Sequence, residues 1–146
     1  RRMAEQDTDV EKLMTSPVET VSPDAIIAEA ARILDEKGIG SLVVGENRLE
    51  GIVTEMDIVA AVGQELDPST PVSELMSDPV VTARPTETLK VAAERMGHNG
   101  VKKLPVVENG KAIGIITTTD LALYLPNYQV KMAHQAEPDI VDGEWE

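Results

Sequence analysis

The sequence has no cysteine and no phenylalanine, and its aromatic content is one tryptophan and two tyrosines. The missing cysteine excludes disulfides and thiolate metal sites and leaves the redox compartment open. The scarcity of aromatic rings leaves an aliphatic core, and the single tryptophan, Trp145, lies one residue from the C-terminus. Positive charge is also scarce, with 13 Lys and Arg against 26 Asp and Glu and a formal net charge of −13. That balance argues against a general binder of nucleic acid or anionic membrane, both of which need an electropositive surface. One reading of the acidity is solubility, and another is adaptation to a salty cytoplasm. No apolar run is long enough to span a bilayer and no signal-peptide pattern is present, so a cytoplasmic protein is the expectation.

What is present is a core-forming sequence, 42% hydrophobic over 146 residues. It is used twice. Gly51-Ile-Val-Thr-Glu-Met-Asp57 returns as Gly114-Ile-Ile-Thr-Thr-Thr-Asp120, and Val10-Glu-Lys-Leu-Met-Thr-Ser-Pro-Val18 returns as Val72-Ser-Glu-Leu-Met-Ser-Asp-Pro-Val80. Thr20 and Pro23 stand opposite Thr82 and Pro85, Gly38-Ile39 opposite Gly100-Val101, and Val43-Val44 opposite Val106-Val107. The spacing slips by one residue between Ile39 and Gly51. Repetition of this kind is one unit used twice.

Each unit reads as β-α-β-β-α. In the first, Val10 to Met14 is a helical turn and Val18 to Val21 a strand. Ser22-Pro23-Asp24 then opens a helix to about Lys37, with Ile26, Ile27, Ala30, Ile33 and Leu34 on its apolar face. Gly38 stops it, Ser41 to Val44 and Leu49 to Val53 are strands around a Glu46-Asn47 turn, and Asp57 to about Gln64 is a helix. The second unit predicts a strand over Val80 to Ala83, a helix over Thr86 to Met96, strands over Leu104 to Val107 and Ala112 to Ile116, and a helix over Asp120 to Leu125 ended by Pro126. Asn109-Gly110 is a hairpin signal between the last strands. The expected organisation is an N-terminal arm (1–9), two repeats (10–65 and 72–125), a proline-containing linker (66–71) and an acidic tail (126–146). A unit of about fifty residues is too small for an independent core, so the two are expected to pack as a pseudo-twofold pair with two clefts along the seam.

Thr54-x-x-Asp57 and Thr117-x-x-Asp120 admit two readings. Each resembles a capping box, with Asp where the longer Glu or Gln is usual. Each also places free N–H groups, a hydroxyl and a carboxylate at a strand-to-helix junction, where a phosphate and a ribose diol can be held. Lys102-Lys103 is the only adjacent lysine pair. It reads as a solvated strand edge or, beside the Asp120 cleft, as a phosphate contact. His98 suits a helix C-terminus, and with His134 in the tail it makes no metal site. No hydroxyl nucleophile has an identifiable base, so no catalytic residue is expected. The tail aromatics with Tyr124 suggest either a fraying end or a docking segment.

The doubled order of Leu-Met-x-x-Pro-Val, Leu-Pro-Val-Val and Gly-Ile-(Val/Ile)-Thr-x-x-Asp resembles a tandem pair of CBS domains, a Bateman module, over about residues 10–125. The resemblance implies an α+β pair meeting through its sheets, a homodimer, and non-catalytic binding of AMP, ADP or ATP, with S-adenosylmethionine or NAD as lesser candidates. It implies one site with Asp120 on the ribose, Thr117 and Thr119 near phosphate, Lys103 adding charge, and Ser22, Ile27, Ile39 and Gly40 walling the base. A second site would use Asp57 and Thr54 with Arg84, Leu89, Val101 and Lys102. Met56 stands where the other copy has Thr119, and Arg84 where it has Ser22, so the Asp120 site is the stronger candidate. The implied function is a stand-alone regulatory module that signals metabolite state to an unknown partner protein. The alternatives are a structural dimerisation module with empty clefts, or a regulatory fragment of an enzyme.

Overall fold

The computed structural model describes residues 7–77 and 80–124. The expectations for the N-terminal arm before residue 7, and for Pro126, His134 and the acidic aromatic tail, lie outside the described residues. Among these residues the chain is a mixed α+β fold. In order it forms β1 (Thr20–Val21), α1 (Ile27–Lys37), β2 (Ser41–Val44), β3 (Gly51–Thr54), α2 (Glu55–Gly63), α3 (Leu89–Asn99), β4 (Lys103–Glu108), β5 (Lys111–Thr117) and α4 (Thr118–Tyr124). Short 3₁₀ turns at Val10–Lys12 and Val72–Glu74 precede each half. In the first half β1 pairs parallel with β2, which pairs antiparallel with β3. In the second, β4 and β5 form an antiparallel pair.

The strand expected over Val80 to Ala83 is absent as a strand. Ala83 alone bridges Val106. The cause is Pro105. In the first half the Val43 and Gly45 amides donate to the Glu19 and Val21 carbonyls, whereas in the second only the Val107 amide donates, to Ala83 at 2.8 Å. Pro105 stands where Val43 does and has no N–H to give. The same bonds match Val44 with Val106, one residue from the alignment of Val43-Val44 with Val106-Val107. The slip therefore falls later, in the hairpins.

Helix ends also differ from expectation. Helix α1 starts at Ile27, not at Ser22-Pro23, because its first amides are capped from outside: Ile27 and Ala28 donate to the carbonyls of Thr70 and Pro68. The Ser22 hydroxyl instead accepts from the Asp24 amide within a turn, at 3.2 Å. Helix α3 starts at Leu89, with the Thr88 hydroxyl accepting from the Val91 amide. Both helices end on a glycine in the left-handed region, Gly38 at φ 62° and Gly100 at φ 65°, a conformation that costs a residue with a Cβ. Asn109 (φ 54°) and Gly110 (φ 80°) make the expected hairpin turn. Strand β3 begins two residues later than expected, as the Leu49 amide donates instead to the Gly110 carbonyl of the other hairpin.

The two cores are interleaved. Val10 is fully buried with Leu89, Met96, Leu104, Ile116 and Leu121 of the second half, while Val72 is buried with Val21, Ala30, Leu34 and Val53 of the first. Backbone bonds fix the exchange: the Val10 amide donates to the Glu87 carbonyl and the Val72 amide to the Ala25 carbonyl. Each entry segment then crosses to the other half's sheet edge, Thr15 bridging Ile115 and Ser77 bridging Ile52. At the crossing, methionine lies on glycine. A Cβ on Gly114 would meet Met14 Sδ at 2.5 Å, and one on Gly51 would meet Met76 Sδ at 2.6 Å. This close approach explains why a glycine heads both copies of the Gly-Ile-x-Thr-x-x-Asp stretch.

Candidate ligand site at the seam

Both Thr-x-x-Asp copies are capping boxes. The Thr54 amide donates to Asp57 Oδ2 at 2.8 Å and the Asp57 amide to Thr54 Oγ1 at 3.3 Å. The Thr117 amide donates to Asp120 Oδ2 at 2.9 Å and the Asp120 amide to Thr117 Oγ1 at 3.2 Å. The Thr54 hydroxyl adds a bond to Asp57 Oδ2 at 3.1 Å. In each copy the carboxylate bonds use Oδ2 only, so among the described residues Oδ1 keeps its acceptor capacity.

A cavity of about 230 Å³ lies where the halves meet. Ile39, Gly40, Ser41 and Val43 of the first half form one wall, and Lys103, Ile115 and Thr117 of the second form the other. Thr15, Pro17, Val18 and Glu19 complete it. Register explains the second wall, because Lys103 is paired across the sheet with Thr117 and so sits beside the Asp120 cap. A Cβ on Gly40 would lie 2.7 Å from Lys103 Nζ and 3.2 Å from Glu55 Oε1. The bare backbone of Gly40 thus accommodates a cation from one repeat and a carboxylate from its own. Glu19 at the rim is paired with Lys37, at 3.2 Å.

Of the first expected site, the cavity brings together Thr117, Lys103, Ile39 and Gly40. Asp120 is half-buried and tied to Thr117 without lining the cavity, and Thr119 is exposed on α4. Ser22 is exposed in its turn and Ile27 is buried at the first position of α1, neither on the cavity wall. Of the second expected set, Thr54 and Asp57 cap α2, Lys102 is exposed with its carbonyl accepting from the Thr118 amide, and Val101 packs on the second core. Leu89 has no exposed surface and holds the core. Arg84 lines two polar surface depressions with Thr82 and Thr86, and neither depression includes Thr54, Asp57, Val101 or Lys102. Asp78 and Pro79, the counterparts of Ser16 and Pro17, lie outside the described residues, so the second cleft is described only in part.

The Thr15, Pro17, Val18 and Glu19 wall, with Ser41, Val43 and Ile115, lies outside the expected site residues. A second feature that sequence reasoning missed is the Glu87–Arg95 pair. Arg95 donates to both Glu87 oxygens, at 2.6 and 2.7 Å, and to the Thr82 carbonyl at 2.9 Å. The Arg84 amide also donates to Glu87, at 2.7 Å. The Arg95 guanidinium holds the Glu87 carboxyl below its ordinary value, and Glu87 raises Arg95 in turn.

With this architecture in view, comparison with known proteins is unambiguous about the class. The profile of the CBS domain matches residues 10–64 and 72–127, and the chain belongs to that family as a tandem pair. It is 36% identical over 116 residues to the CBS domain-containing protein YhcV of Bacillus subtilis, covering 78% of this chain and 83% of that one. It is also 33% identical over 124 residues to a homoserine O-acetyltransferase of Methanohalobium evestigatum, of which it spans 25%. Among solved structures it resembles the CBS domain protein PAE2072 of Pyrobaculum aerophilum complexed with AMP, with a TM-score of 0.76, 27% identity, and 82% and 94% of the two chains covered. The CBS domain pair of protein MJ0100 in complex with 5′-methylthioadenosine and S-adenosyl-L-methionine gives 0.73 and 29%, over 80% and 94%.

Proposed function

We propose that the chain is a regulatory module that binds an adenosine-containing ligand, with AMP, ADP or ATP favoured, in the seam cavity beside the Asp120 cap. The single observation that carries this reading is the position of Lys103, a cation brought against Gly40 and across from Thr117 in a strongly acidic chain. A phosphate there would meet an ammonium and a threonine hydroxyl, while Ile39, Val43 and Ile115 offer apolar surface to a base. The similarity to proteins bound to AMP and to S-adenosyl-L-methionine supports the adenosine part. Charge separates these ligands, since Lys103 favours a phosphate over a sulfonium. Each charge-assisted bond contributes about 1.5–3 kcal/mol, and a few of them fit micromolar to millimolar binding of a metabolite. Binding would be read by an unknown partner through the geometry of the pair.

Assembly is part of the proposal. Helices α2 and α4 hold equivalent places in the two repeats, and both expose apolar side chains: Met56 (68%), Val59 and Val62 on α2, Leu123 (73%) and Tyr124 on α4. A second copy related by a twofold axis would cover such apolar side chains in a homodimer. The second reading is a dimerisation module with an empty cleft. It is favoured by the cavity volume, about 230 Å³, below the ~300–1,000 Å³ usual for small-molecule sites.

A thermal-shift panel of AMP, ADP, ATP, NAD and S-adenosylmethionine decides between them, because a ligand of the native state raises stability by mass action. A rise with nucleotides that Asp120→Ala abolishes and Asp57→Ala retains supports the first reading. No rise with any ligand at millimolar concentration leaves only the second.

A further inference from the structure

Glu55 has no role in the site as described so far, yet it is the group that faces Lys103 across Gly40. Three observations define its position. A Cβ on Gly40 would contact both Lys103 Nζ and Glu55 Oε1. The Glu55 amide donates to the Gly40 carbonyl at 3.0 Å, tying the first residue of α2 to the cavity wall. Glu55 also lines a larger groove of about 480 Å³ between α1 and α2 that shares Ile39 and Gly40 with the seam cavity. The backbone bond recurs at the other seam, from the Thr118 amide to the Lys102 carbonyl at 3.0 Å, but the pair of charges over a glycine does not. By the repeat alignment, Lys102 stands in place of Gly40, Thr118 in place of Glu55 and Ser41 in place of Lys103.

We propose that Glu55 is an internal competitor for Lys103, a positioning residue that tunes the cavity to the charge of its ligand. This rests on the nucleotide reading given above. With the cavity empty, the Glu55 carboxylate and the Lys103 ammonium share the space over Gly40, near enough to attract each other without closing into an ion pair. A bound phosphate takes the ammonium and leaves Glu55 facing a second negative charge. The carboxylate then turns away from Gly40. Because Glu55 opens α2, the helix that carries Met56, Val59 and Val62, this displacement connects occupancy to the exposed apolar face. Neutral adenosine makes no claim on the ammonium and does not disturb the arrangement.

The test is calorimetric titration of AMP and of adenosine into the wild type, Glu55→Gln and the control Glu36→Gln, an exposed glutamate that lines neither cavity, with the Lys103 side-chain methylene beside the ammonium followed by NMR in the ligand-free proteins. Glu55→Gln should tighten AMP by up to roughly fivefold, the upper scale for exposed opposite charges, leave adenosine unchanged and shift the Lys103 signal. Glu36→Gln should change none of the three. Unchanged or weaker AMP binding in Glu55→Gln, an equal change for adenosine, an equal gain in Glu36→Gln, or an unmoved Lys103 signal would each overturn the competition while leaving a nucleotide site intact. A wild type that binds no AMP would instead remove the nucleotide reading and this proposal with it.

Discussion

Lys103 Nζ lies 2.7 Å from where a Gly40 side chain would begin, so the cation of one CBS repeat rests on the bare backbone of the other. Gly40 has no positive φ to require glycine. What it supplies is room. An alanine there meets the tip of a flexible lysine, which can swing aside at little cost to the fold. Gly40→Ala should therefore keep the melting temperature within about a degree or two, yet weaken AMP by roughly tenfold or more as one charge-assisted bond is lost. Paired melting and titration curves check both halves of the statement.

The glycines under the methionines should behave in the opposite way. A Cβ on Gly114 meets Met14 Sδ at 2.5 Å and the Thr15 carbonyl oxygen at 2.9 Å, and one on Gly51 meets Met76 from Sδ to Cβ. Overpacking of this kind costs about 1–3 kcal/mol. Both Gly114→Ala and Gly51→Ala should lower the denaturation midpoint, Gly114→Ala by more because it presses on backbone. Equal stability to wild type would contradict the crossing of the entry segments.

Exchange of those segments makes a further prediction. Val10 has no exposed surface and belongs to the core of the second half. Val10→Ala should cost about 2 kcal/mol from two lost methyl groups and the cavity they leave. By hydrogen exchange the loosening should appear in α3, β4 and β5 rather than in α1, although α1 is nearer in sequence. Faster exchange confined to α1 would contradict it.

Glu87 gives the pH dependence. Its carboxyl is held below the ordinary glutamate value of 4.5, first by the hydrogen bonds from Arg95. A lowered folded-state value means stability that is present above 4.5 and lost as pH falls through the lowered value. Glu87→Gln should therefore be less stable than wild type at pH 7, by about 0.5–1 kcal/mol for a partly exposed pair, and the difference should close in acid. A gap that persists at pH 2 would assign the loss to packing.

Much of this was legible in the chain because the repeat exposed it twice. The strands at Ser41–Val44 and Lys111–Thr117, the stop at Gly38, the Asn109-Gly110 turn and the two Thr-x-x-Asp junctions follow from local chemistry, and local chemistry is visible in sequence, whereas α3 runs past its expected end at Met96 to Asn99. The departures have causes distant in the chain. Helix α1 begins late because Pro68 and Thr70 cap it, β3 because Gly110 takes the Leu49 amide, and the strand before α3 is missing because Pro105 has nothing to donate. Lys103, Thr117, Ile39 and Gly40, named through the resemblance to CBS pairs, line one cavity. Glu55 and the Pro17-Val18 wall were illegible, since only the packing of one repeat on the other makes them neighbours. Leu89 shows the converse, an aliphatic residue that suits a ligand wall and is needed by the core.

The most direct test of the central claim is a backbone amide NMR titration with AMP. The account predicts saturable shifts centred on Ile39, Gly40, Lys103, Ile115 and Thr117, with weaker ones running along α2 from Glu55. Shifts centred on Thr82, Arg84 and Thr86, or none at millimolar AMP, would contradict it.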